Sequence, residues 1–225
     1  MIHRHRFVLS ATLASLLVAA PALVSAQTLD DAAKNLEDAA ASLEDAAAAM
    51  DQAGAEMDAA ADEVDGIQAP AQNTDGAMYS CSKFERMVVN FKPEAKKVVG
   101  DKDTPLVFKA SGHCNVVIRN VTLRGKVVID ISGHANLLLA NVTIEGKKTA
   151  IDISGHANVR LKNSTVAGAK KAMVVSGHAN VMLDNTTLKG SSVVSGFANV
   201  AYDKKSRTGK LKKTGKFANI SALNQ

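Results

Sequence analysis

Four copies of the pentad Ser-Gly-His-x-Asn begin at Ser111, Ser132, Ser154 and Ser176 and put His113, His134, His156 and His178 in one file. Imidazole is a common metal ligand and an acid–base group near neutral pH, so a recurring histidine first suggests Zn²⁺ or Cu²⁺. A metal, however, wants ligands converging from different directions. A repeat offers them in a straight line, and the next copy, SGFAN (195–199), puts Phe197 in the same slot. Phenylalanine can stack but cannot coordinate, so the file is expected to be a structural ladder of rings without metal. Asn115, Asn136, Asn158, Asn180 and Asn199 follow two residues behind each ring. Amides repeating at fixed spacing can each bond the next, so these too read as a ladder. A second file, Asn120, Asn141, Asn163 and Asn185, opens NVTLRG, NVTIEG, NSTVAG and NTTLKG; it reads as an amide ladder as well, of a residue that tolerates turns.

Two other groups could do chemistry. Asp130 and Asp152 recur in neighbouring copies, and close carboxylates can share a proton or hold Ca²⁺, as a polysaccharide lyase or hydrolase would need. They are weak catalytic candidates, because the file continues as Val174 and Val193 and no long loop builds a cleft. The basic residues are the better surface. Lys126, Lys147, Lys148, Lys170 and Lys171 recur after the second Gly of each copy, and Lys204, Lys205, Arg207, Lys210, Lys212 and Lys213 crowd the C-terminal end. Such a stripe attracts anionic polysaccharide or lipopolysaccharide phosphate, and lysines also protect exposed strand edges. Aromatic residues make up 4% of the chain, too few to stack bases along a nucleic acid. No cofactor motif is present.

These groups need a scaffold that repeats every 21 or 22 residues, the spacing of Gly112, Gly133, Gly155 and Gly177. That period signals a solenoid. Val, Ile, Leu and Thr in short alternating runs between Gly and Asn make its elements strands. Alternation turns Ile129/Ile131, Ile151/Ile153 and Met173/Val175 inward, then Val116/Ile118, Leu137/Leu139, Val159/Leu161 and Val181/Leu183, then Leu123, Ile144, Val166 and Leu188. Asp130, Asp152, Arg119, Arg160, Lys162, Asp184 and the threonines after the second Asn turn outward. The expected fold is mainly β: a right-handed parallel β-helix of about five to six rungs of 19–22 residues over 111–225, with 78–110 as its N-terminal cap. No hexapeptide rhythm supports the left-handed form.

The rungs SGHANLLLANVTIEG and SGHANVMLDNTTLKG resemble the repeats of the bacterial domain of unknown function 3060, an exported family with short G-x-x-N-x-V-type repeats. The resemblance spans about 78–220 and implies a β-helix-type fold and export. It brings no catalytic residues.

Before the repeats, residues 1–26 read as a secretory signal peptide cleaved after Ala26, with His3, Arg4, His5 and Arg6 ahead of an apolar stretch. The mature protein is therefore expected in the periplasm or outside the cell, without a membrane span. In an oxidising compartment the only two cysteines, Cys81 and Cys114, are expected to pair. Residues 27–68 form an acidic, Ala-rich heptad segment, with Leu29, Leu36, Leu43, Met50, Met57 and Val64 in one column and Ala32 to Ala60, then Ile67, in the other. This predicts a long coiled-coil-like α-helix, either self-associating through 29–67 as a homo-oligomer or lying on the basic domain. Residues 69–77 read as a linker. Charge separates the parts: 28–76 carries thirteen Asp/Glu and one Lys, whereas 77–225 carries twenty-four Lys/Arg and nine Asp/Glu. The favoured function is a non-enzymatic envelope protein binding anionic polymers or partner proteins. The alternative is a carbohydrate-active enzyme on an acidic polysaccharide.

Overall fold

Short apolar runs separated by Gly and Asn cannot bury both faces alone, and stacking each on its own copy supplies hydrogen bonds and a shared interior. The computed structural model describes residues 65–68 and 76–223. By compactness the chain divides into residues 1–45 and 46–225, and all described residues belong to the second unit. They form a β-solenoid of about six turns built from parallel sheets.

The first sheet carries the Ser-Gly-His-x-Asn strands. His113–Arg119, His134–Ala140, His156–Lys162 and His178–Asp184 pair parallel and in register, so His meets His and Asn meets Asn. The degenerate copies continue it as Asn199–Tyr202 and Asn219–Ala222. After this face the chain turns at Asn120, Asn141, Asn163 and Asn185, with φ of 54°, 54°, 49° and 47°. That left-handed conformation is costly for most side chains and easier for asparagine, which explains the second Asn file. The second sheet follows with two faces per turn. Val121–Ile131 and Thr143–Ile153 run through the corner between them as single strands, with a register shift between Gly125 and Val127.

The expected inward residues fill the interior. Ile118, Leu123, Leu139, Ile144, Ile151, Leu161 and Leu183 are wholly buried, each worth roughly 1.5–3 kcal/mol relative to exposure. Glycine is needed where the turns approach: a methyl at Gly155 would overlap the carbonyl oxygen of Gly133, and one at Gly133 that of Gly112. At the N-terminal end a disulfide joins Cys81 to Cys114. Cys114 points inward and pairs in register with Ala135, so the bridge occupies a slot that alanine fills in later turns.

Two expectations need correcting. Residues 78–110 are a turn of the solenoid in their own right: Glu85–Asn90 pairs in register with the His113 strand, and Leu106–Ala110 with Val121–Ile131. The alternation was hidden because no Ser-Gly-His marks this turn. The heptad segment was expected to be helical to residue 68, but its last residues are not, since Gly66–Gln68 is a strand pairing antiparallel with Glu85–Asn90. Gly66, at φ 116°, breaks the helical pattern. The rest of that segment, the expected signal peptide and most of the expected linker lie outside the described residues. Among the described residues, no helix is long and apolar enough to cross a membrane.

Candidate functional site

The histidines stack. Ring centroids along His113, His134, His156 and His178 are 4.7–4.8 Å apart and the planes lie within 7° of parallel. Phe197 stacks on His178 at 4.8 Å and Phe217 on Phe197 at 4.7 Å. Phe84 closes the other end, 4.6 Å from His113. Phe84 was missed as a ladder member, while Phe217 stands in FAN (217–219), a degenerate copy of the repeat legible in the sequence. In a parallel stack the ring lone pairs point the same way and do not converge, so neighbouring rings cannot chelate one ion. Among the described residues no cluster of three or more His, Cys, Asp or Glu is placed to hold a metal.

Beside the rings runs the amide ladder. Asn136 Nδ2 donates to Asn115 Oδ1 at 3.0 Å, Asn158 to Asn136 at 3.2 Å, Asn180 to Asn158 at 3.1 Å and Asn199 to Asn180 at 3.1 Å. A groove of about 620 Å³ follows the two files, lined by Phe84, Arg86, the histidines and Asn115 to Asn158. The ring faces are consumed by stacking, so the groove offers edges and amides, with no open ring face for a sugar except at the ends.

Asp130 and Asp152 pair in register on adjacent turns, in a file reading Ser80, Lys109, Asp130, Asp152, Val174, Val193, Lys212. Burial pushes both carboxyls above the ordinary aspartate range; the charge of Asp130 pushes Asp152 further, and Lys109 and Lys171 pull the other way. The pair can therefore retain a proton to higher pH than a free carboxylate. Neither residue lines the ring groove or the corner groove described next.

The corner between the faces of the second sheet gathers the repeat lysines. Lys170 donates its backbone N–H to the Lys148 carbonyl at 3.0 Å, placing these exposed lysines on successive turns, with Lys147 and Lys171 beside them. A groove of about 480 Å³ follows the glycines here, lined by Gly146, Gly168 and Gly190 with Lys102, Lys147 and Lys189. Lys102 and Lys189 were missed because they are out of phase with the other lysines. One end is partly neutralised. Lys147 Nζ meets Asp103 Oδ1 at 2.8 Å, which holds Asp103 below the ordinary carboxylate range. Lys126 is half-buried close to Asp101 and Asp103, and Arg124 pairs with Glu145 at 2.8 Å.

The C-terminal cations do not form one patch with this corner. Lys210 pairs in register with Ser191 and extends the corner by a turn, with Lys212 and Lys213 further along the same strand. Arg207 instead bridges Thr187 on the preceding face. Lys204 and Lys205 are exposed in the turn of Asp203, whose Oδ1 accepts the Asn185 backbone N–H at 3.1 Å, at a different corner.

A further surface feature escaped the sequence reading. Val88, Val117, Leu138, Met182 and Ala201 alternate outward, yet are 0–6% exposed. Unbroken triplets such as Val116-Val117-Ile118 and Leu137-Leu138-Leu139 were the available signal of a strand buried on both sides. Scans against family models, curated proteins and solved structures each found no match to this chain.

Proposed function

We propose that this is an exported, non-enzymatic binding module that holds an anionic envelope polymer, an acidic polysaccharide or lipopolysaccharide phosphate, along its lysine-lined corner. One observation carries the reading: the groove at Gly146, Gly168 and Gly190 brings Lys102, Lys147 and Lys189 to a surface that Lys148, Lys170 and Lys171 flank. Glycine backbone there lets a chain approach closely. Lysine ammonium groups repeating along the axis suit a polymer whose charges also repeat. Lys210 prolongs the track by one turn.

Export is supported by the N-terminal leader, by the Cys81–Cys114 disulfide and by the resemblance to the domain of unknown function 3060. The solenoid is read as right-handed, in keeping with the strong preference of parallel crossovers. The acidic heptads of 29–64 supply the module's helical attachment, to a second copy or to the solenoid itself. The test is binding of the mature chain to a defined acidic polysaccharide across a salt series. Affinity that falls steeply with salt supports the reading, and no affinity at low salt overturns it.

The raised carboxyls of Asp130 and Asp152 favour one second reading, a carbohydrate-active enzyme in which one carboxyl donates the proton its neighbour helps retain. A turnover assay on acidic polysaccharides decides it: activity lost in Asp152→Ala supports the enzyme, and activity unchanged by that substitution removes it.

A further inference from the structure

The outer face of the first sheet carries a stripe that does not belong on a solvent-facing surface. Val88 pairs with Val117, Val117 with Leu138, Leu138 with Arg160, Arg160 with Met182 and Met182 with Ala201, all in register. Val88, Val117 and Leu138 are 1%, 0% and 4% exposed and form a cluster of their own, apart from the interior core. Outward side chains this dry need a second layer, and their cluster contains no other described apolar residue. The file beside the stripe carries Arg119, whose guanidinium burial pulls below its usual value. Within the stripe, Arg160 lies 3.6 Å from Asp184 with its side chain 19% exposed.

We propose that residues 46–64 of this same chain dock as an amphipathic helix along that stripe, with Met50, Met57 and Val64 on the apolar file. Three observations select this occupant over others. The described chain begins at Asp65, and Gly66–Gln68 is hydrogen-bonded to the edge strand Glu85–Asn90 of this same sheet, so the preceding residues start where the stripe starts. The lengths agree. Six turns at ~4.8 Å spacing make a stripe of about 24 Å, and residues 46–64 as a helix at ~1.5 Å per residue reach about 28 Å. A heptad rises ~10.5 Å on that helix, close to the ~9.6 Å of two turns, so successive column residues meet the stripe at equivalent places. Charge also agrees: the segment carries Asp51, Glu56, Asp58, Asp62 and Glu63 and no Lys or Arg, opposite a face bearing Arg119 and Arg160.

Docking gives the alanine-rich helix the partner it needs, since such a helix is marginal alone in water. It also keeps acidic side chains on a different sheet from the lysine corner.

Hydrogen exchange of the mature chain tests this, comparing wild type with Val117→Asp/Leu138→Asp at two protein concentrations. Expected is protection across 50–64 in the wild type, unchanged on dilution. In the variant exchange there should be at least tenfold faster, while amides of Val159–Leu161 remain protected. Should those solenoid amides open as well, Met50→Asp/Met57→Asp, which alters only the proposed helix, replaces it with the same expected result. Exchange across 50–64 that is equal in wild type and variant overturns the proposal. Protection that disappears on dilution also overturns it, and assigns the segment to a second copy.

Discussion

Replacing both cysteines, Cys81→Ala/Cys114→Ala, isolates what the disulfide contributes. In-register neighbours of Cys114 along its file are Ala135, Ala157 and Ala179, so alanine at 114 reproduces a packing arrangement the fold already uses three times. The native state should therefore change little, and the cost should fall mainly on the unfolded chain. The bridge spans a sequence separation of 33, and the chain-entropy relation gives about 3.8 kcal/mol for a loop of that size at 25 °C. Truncating the two buried sulfurs adds roughly 1 kcal/mol, so the expected loss is about 4–5 kcal/mol. With no tryptophan in the chain, urea unfolding followed by far-ultraviolet circular dichroism is the assay. Wild type under reducing conditions should show most of the same loss. A variant that loses less than about 1 kcal/mol would refute the reasoning, because the first turn would then be held without its link to the strand of His113.

Three other perturbations probe separate parts of the account. Gly155→Ala pushes a methyl into the Gly133 carbonyl and should cost about 1–3 kcal/mol, as overpacking does, read as a lower midpoint in the same urea assay; no change would contradict the close approach of the turns. Asp152→Asn should stabilise the protein at neutral pH. The folded carboxyl lies above its unfolded value, so stability falls as pH rises through that window, and the wild-type deficit should vanish below the ordinary aspartate range. Equal stability of the two proteins at neutral pH would contradict this. For the ring ladder, Zn²⁺ titration by calorimetry should give the same isotherm for wild type and His134→Ala/His156→Ala, and a site lost in the variant would show that the rings converge on a metal after all.

The solenoid was legible because its period is carried by residues with different physical duties. Gly155 permits close approach, Asn141 takes the left-handed turn, and Leu139 and Ile151 fill the interior. Where one duty lapsed, legibility lapsed with it. The first turn has no Ser-Gly-His, so Glu85–Asn90 and the ring of Phe84 went unread. Gly66–Gln68 was masked by a heptad rhythm that carries Ile67 in phase although its backbone is extended. Alternation sorted inside from outside well, but Val117 and Leu138 are apolar on the outside, and a two-state rule has no category for a face covered by something else. Of the candidate site, the ring file, both carboxylates and the corner lysines were visible from spacing alone. Which cations share a groove was not, because Lys102 and Lys189 join the corner through the winding of the chain and not through the repeat.

If the lysine corner binds an anionic polymer, as proposed, reversing its charge must weaken that binding. Affinity of the protein for a defined acidic polysaccharide, measured at low and physiological salt, is compared with that of Lys148→Glu/Lys170→Glu. Both lysines are exposed on adjacent turns, so the variant should fold as the wild type does. Expected is at least a tenfold loss of affinity at low salt and a shallower salt dependence. Equal affinity and equal salt dependence in the two proteins would contradict it.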